Sequence, residues 1–138
     1  MTKPVCLVIG AGAGIGGNVA KKFALQGYHS FLCRRSDEEG LNKLVSQITE
    51  AGGSASGRLL NAIEENAIED MVKDIEADVG PIEVVIYNLG AQIGNRPLAG
   101  TPHKTFEMGW RLGTFGLYRL AYALTPLMEA RGHGTILV

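Results

Sequence analysis

The chain has 138 residues, 46% of them hydrophobic and 20% charged, with a formal net charge of −1. That length and composition suit one soluble globular domain with a core of its own. The near-zero charge removes the electrostatic case for nucleic acid or an anionic membrane surface as partner.

Met1-Thr2-Lys3-Pro4 leads directly into an apolar strand over 5–9, with neither the long apolar region nor the small-residue cleavage site of a signal peptide. A glycine-rich turn follows, and two spacings compete in it. Gly12-x-Gly14-x-x-Gly17 fits the general dinucleotide fingerprint but starts beyond the strand end, whereas Gly10-x-x-x-Gly14-x-Gly16 starts where the tight turn is needed. The second is preferred. In it Gly10 turns the chain, Gly14 lets backbone approach a pyrophosphate, and Gly16 lets the helix start pack closely. Free N–H groups and the positive end of the helix then face the phosphates. The candidate phosphate-binding residues are Gly10, Ala13, Gly14, Ile15 and Gly16.

Beyond the turn, Ile15, Val19, Ala20 and Phe23 form a stripe at helical spacing, closed by Gly27. A strand over 30–33 comes next, then a second stripe of Leu41, Leu44, Val45 and Ile48 ending at Gly52-Gly53. A strand over 57–60 precedes a third stripe, Ile68, Met71, Val72 and Ile75, which Gly80-Pro81 terminates. After a strand over 84–87, residues 91–100 (with Gln92, Asn95 and Arg96) form a connection that overhangs the strand ends, where a specificity loop or a plain link are both open readings. Thr101-Pro102 reads as a cap followed by a first-turn proline. The longest stripe then runs through Phe106, Trp110, Gly113, Leu117, Leu120, Ala121, Leu124 and Met128 to Gly132, before a last strand over 135–138.

Strands apolar throughout, each followed by a helix, predict an α/β fold with a doubly wound parallel sheet covered on both faces. The whole of 1–138 reads as one Rossmann-like, three-layer, NAD(P)-binding domain. The stretch 112–128 is interrupted by Arg119 and Pro126, which makes a poor membrane span. Cys6 and Cys33 fall at opposite edges of the predicted sheet and cannot form a disulfide, so a cytoplasmic location is expected. His29, His103 and His133 lack metal-ligand spacing; loop or cap roles are expected and no metal.

The preferred glycine register, in its strand–turn–helix context, resembles that of the short-chain dehydrogenase/reductase family, with Ile9 in place of that family's threonine. Three further positions match in order. Cys33-Arg34-Arg35 ends the second strand where an NAD site usually has an acid. Arginine there accommodates a 2′-phosphate through a bidentate, permanently charged fork. Arg34 is the first choice and Arg35 the second, which favours NADP(H) over NAD(H). Asp37 and Glu38 come too late for the ribose and read as the first turn of the next helix. Asn61-Ala62 stands where the family has an aspartate near the adenine, and a turn-forming asparagine with no ligand is the other reading there. Tyr87-Asn88-Leu89-Gly90 resembles the family's Asn-Asn-Ala-Gly beside the nicotinamide ribose, matching at Asn88 and Gly90 only.

The resemblance implies a sheet order 3-2-1-4-5, hydride transfer between nicotinamide and a carbonyl or alcohol carbon of a small-molecule substrate, and a homo-oligomer built through the long helix. It also implies truncation after the fifth strand, before the family's catalytic serine and Tyr-x-x-x-Lys, so that no catalytic residue is assigned and the chain alone is expected to be inactive. A further position departs: Gly113 stands where the family has an asparagine holding a relay water. Close helix packing at Gly113 and Gly116, or an altered site, both remain open. A non-catalytic NADP(H)-binding or sensor protein of the same fold is the alternative.

Overall fold

The computed structural model describes residues 2–90 and 96–138. Five parallel strands form one sheet in the order β3-β2-β1-β4-β5. They are β1 Val5–Ile9, β2 His29–Arg34, β3 Ser54–Leu59, β4 Ile82–Tyr87 and β5 Thr135–Leu137. The helices are α1 Ile15–Leu25, α2 Glu38–Glu50, α3 Ala67–Asp78, α4 His103–Trp110 and α5 Gly116–Arg131, with a π-helical segment, Arg111–Phe115, joining the last two.

Alternation along β1 explains the layering. Val5, Leu7 and Ile9 pack with Ile68, Met71 and Leu120, on the side of α3 and α5. Cys6 and Val8 pack with Ala20, Leu41 and Ile48, on the side of α1 and α2. Because side chains alternate between faces and both faces are covered, every residue of β1 is apolar and buried. The two cysteines are free and lie in different layers, and burial pushes both thiols up to about 12. No helix among the described residues is long and apolar enough to cross a membrane.

Several predicted boundaries shift. β2 gains His29 and Arg34, and β4 starts at Ile82. β3 starts at Ser54 and ends at Leu59, because Ser54, Ala55 and Ser56 pair with His29, Ser30 and Phe31 although they form no large apolar run. His29, expected in a loop or cap role, is instead held in the sheet by the hydroxyls of Ser54 and Ser56, each 2.7 Å from a ring nitrogen. Burial, and then the charge of Lys3, lower its pKa. The buried face of α1 is Gly16, Gly17, Ala20 and Ala24, while Ile15 is exposed. The cap of α4 is Pro102, one residue later than predicted. The long stripe is not one helix. Phe106 and Trp110 are exposed, and only Gly116, Leu120, Leu124 and Met128 of α5 are buried, because the π segment rotates one half of the stripe away from the sheet.

Candidate functional site

All five strands are parallel, so their carboxyl ends share one edge, and the sheet order reverses direction between β1 and β4. That switch point is where open α/β sheets bind ligands. The glycine turn, Arg34, Asn61 and Asn88 all lie along this edge.

The turn is fixed by packing that tolerates no side chain at three positions. Gly10 has φ +94°, and an added Cβ would overlap the carbonyl oxygen of Asn88; at Gly16 it would overlap the carbonyl oxygen of Gly10. Gly14 faces open space. In the preferred register Gly10 and Gly16 are required by the protein's own packing, and Gly14 leaves room above the backbone. Gly17, from the rival register, is also needed, since its Cβ would run into the carbonyl of Gly12. The carbonyl of Cys33 accepts from both Gly10 N–H (2.9 Å) and Ala11 N–H (2.8 Å), tying the turn to the end of β2. Gly14 caps α1 without a side chain, and no acid stands in the first turn of that helix. By contrast α2 opens with Asp37, Glu38 and Glu39, and α3 with Glu69 and Asp70. Among the described residues the N–H groups of Ile15 and Gly16 have no acceptor. Their donors and the uncompensated helix dipole suit an anion, and the exposed Ala13, Gly14 and Ile15 leave it access.

At the end of β2, Arg34 is mostly buried, with 15% side-chain exposure. Its Nε donates to the carbonyl of Ala11 at 2.8 Å and its Nη1 to Asp37 Oδ2 at 2.9 Å. Asp37 is thus the cap of α2, with φ +64° and Oδ1 accepting from Gly40 N–H, and it also touches Arg34. Reading it as a residue of the first turn missed this second contact. Arg35 is exposed and has no side-chain partner among the described residues. Asn61 is held in a local turn by long contacts of 3.4 Å to Ile63 N–H and to Glu64. Ala62 is buried in the core and its carbonyl accepts from Arg119 at 2.7 Å, so its side chain does not line the edge. Asn88 is exposed and donates through Nδ2 to the carbonyl of Gly10 at 3.2 Å, while Gly90 stands in open space. Gln92 and Asn95 lie outside the described residues. Arg96 lines a cavity of about 760 Å³ with Leu98, Thr101, His103 and Phe106.

Two residues to which the sequence assigned no site role, Tyr87 and Arg119, shape the surroundings. The phenol of Tyr87 donates to the carbonyl of Leu112, and burial pushes its pKa up to about 12. Arg119 grips Glu69 with two bonds of 2.8 and 2.7 Å and also reaches the carbonyls of Ala62 and Glu64. Close packing at Gly116 is found, where a Cβ would overlap the Tyr87 hydroxyl, but not at Gly113, which faces open space. No group of three potential metal ligands occurs among the described residues.

The sheet order, the switch point and the glycine turn define a Rossmann-like α/β unit. The chain belongs to the short chain dehydrogenase family, whose profile matches residues 4–138. A fatty acyl-CoA reductase of Acinetobacter baylyi is 32% identical over 139 residues, covering 96% of this chain and 45% of that protein. A metagenomic short-chain oxidoreductase solved in complex with NADP superposes with a TM-score of 0.92 at 27% identity, over 99% of this chain and 61% of that one. NAD+-bound xylitol dehydrogenase gives a TM-score of 0.87 at 27% identity, over 96% of this chain and 51% of that one. The chain spans about half the length of the curated relatives it matches.

Proposed function

We propose that this chain is the cofactor-binding part of an NADP(H)-dependent short-chain oxidoreductase. The observation that carries the reading is the glycine turn beneath the uncapped, acid-free start of α1, with Arg34 anchored to that turn at the end of β2. Gly14, Ile15 and Gly16 present backbone donors to a pyrophosphate, and Arg34 and Arg35 offer guanidinium groups to a 2′-phosphate. Asn88 and Gly90 flank the far side of the turn, where the nicotinamide half would lie, and Asn61 offers an amide to the adenine. When bound, the cofactor supplies hydride exchange with a carbonyl or alcohol carbon of a small-molecule substrate. Calorimetric titration of this chain with NADP+ and NAD+ tests the reading: tighter NADP+ binding is expected, and equal affinities would count against the role given to Arg34.

A second reading, a non-catalytic NADP(H)-binding or sensor protein, is favoured by one observation. Gly113 stands in the π segment in open space, with no side chain to hold a relay water. A protein containing this chain that binds NADP+ yet reduces no member of an aldehyde and ketone panel would support it. Homo-oligomer formation through α4 and α5 is supported by an exposed aromatic ladder, in which Trp110 and Phe115 stack at 5.1 Å and Phe115 and Tyr118 at 6.3 Å. Light scattering on the purified protein measures that. The two unpaired buried cysteines are in keeping with a cytoplasmic location.

A further inference from the structure

The cleft between α1 and α2 carries more positive charge than its neighbours neutralise. It has a volume of about 270 Å³ and opens beside the glycine turn, where Ala13, Gly17 and Arg34 line it. Lys21 of α1 and Lys43 of α2 line it as well, with Asp37 the one carboxylate among its walls. Both oxygens of that carboxylate are engaged, Oδ1 by Gly40 N–H and Oδ2 by Arg34. Neither lysine has a hydrogen bond or ion pair among the described residues. Three cations thus line one concave site with a single carboxylate already bonded twice, an arrangement that raises the local concentration of anions.

Arg34 is held ready in this cleft. Its Nε bond to the Ala11 carbonyl fixes the guanidinium, its Nη1 is taken by Asp37, and its Nη2 makes no bond among the described residues. Gly40 permits the arrangement, because a Cβ there would overlap both Arg34 Nη1 and Asp37 Oδ2. Arg34 therefore offers part of a fork, and an anion seated against it lies in the same cleft as the two lysines.

We propose that Lys21 and Lys43 are specificity-determining residues that, together with Arg34, receive the 2′-phosphate of NADP(H) in the cleft between α1 and α2. This rests on the NADP(H) reading above. The two lysines act as mobile point charges beside a fixed guanidinium, so they discriminate by charge and Arg34 by geometry.

The test compares 2′,5′-ADP with 5′-AMP, which differ only in the 2′-phosphate, by calorimetric titration of the wild-type chain and of the K21M/K43M, K21R/K43R and R34M variants. The methionine pair is expected to weaken 2′,5′-ADP binding by about tenfold, the size of a loss of partly screened charge contacts, and to leave 5′-AMP binding unchanged. The arginine pair restores binding, and the loss shrinks as salt rises. If R34M lowers the preference for 2′,5′-ADP while K21M/K43M behaves as wild type, the lysine role is overturned and the NADP(H) reading stands. If the wild-type chain binds the two nucleotides equally, the NADP(H) reading falls and the lysine role falls with it.

Discussion

The phenol of Tyr87 donates to the carbonyl oxygen of Leu112, so the end of β4 is tied to the π segment that bends the α4–α5 stretch. The π segment bonds i→i+5, as from Gly116 N–H to the Arg111 carbonyl, and Tyr87 adds a tertiary bond to it. Gly116 makes space for that hydroxyl. Tyr87→Phe removes this bond and is expected to cost about 1 kcal/mol. Gly116→Ala is expected to cost more, since its methyl group meets the hydroxyl directly. In a Tyr87→Phe background the atom responsible is gone, so the double variant should be less destabilised than the sum of the two. Urea denaturation of the four proteins measures this coupling, and strict additivity would contradict the contact.

The glycines of the turn divide into two kinds that mutation should separate. Gly10→Ala forces a side chain into a left-handed backbone and onto the Asn88 carbonyl, and a loss of about 3 kcal/mol or more is expected. Gly14 has φ −90° and open space above it, so Gly14→Ala should leave the melting temperature within a few degrees of wild type. Its methyl group stands where backbone would approach a phosphate, so nucleotide binding should fall at least tenfold even though the fold survives. Thermal melts paired with NADP+ titration distinguish a packing glycine from a ligand-facing one.

The same contrast shows how much the sequence could reveal. β1 and the turn were legible because an all-apolar strand buried on both faces and a glycine at its end carry strong local signals. β3 was only partly legible, because the pairing of Ser54–Leu59 with β2 is made by backbone and leaves no apolar pattern. The bend at Arg111–Phe115 was invisible, since the helical period continues through it and only the tertiary bond from Tyr87 marks it. Lys21 and Lys43 look like ordinary polar-face residues until α1 and α2 lie side by side. Close helix packing was an open reading for both Gly113 and Gly116; only Gly116, which lies outside the predicted stripe, is packed, because the bend changes which residues face β4.

Arg119 sets a pH dependence on the opposite side of the strand ends. Its hydrogen bonds hold the Glu69 carboxyl below the ordinary value of 4.5. A carboxyl depressed in the folded state contributes stability that is fully present above its unfolded value and is lost as pH falls through the folded one. The stability difference between wild type and Glu69→Gln should therefore be constant near neutrality and shrink steadily below about pH 4.5. Glu69 is 37% exposed, so solvent screening should keep that difference below about 1 kcal/mol. Arg119→Met also strips donors from the carbonyls of Ala62 and Glu64, and about 2–3 kcal/mol is expected at neutral pH. Denaturation series from pH 3 to 7 check both. A Glu69→Gln difference that grows on acidification would contradict the ion pair.

Gly113 offers the sharpest test of why a glycine stands in the π segment. Its φ lies outside the left-handed region, and an added Cβ meets nothing within 4 Å. Neither backbone conformation nor packing requires glycine there. Gly113→Ala should therefore stabilise the protein by up to ~1 kcal/mol, through lower chain entropy in the unfolded state and better helix propensity. Gly113→Asn should fold as well as wild type for the same steric reason. Gly116→Ala in the same experiment is the internal control, since the opposite sign is expected only three residues away. If Gly113→Ala destabilises the fold as Gly116→Ala does, close packing at Gly113 is restored as its explanation. If it stabilises the fold, the glycine is kept for what it leaves open above the π segment, and the open space itself becomes part of the candidate site.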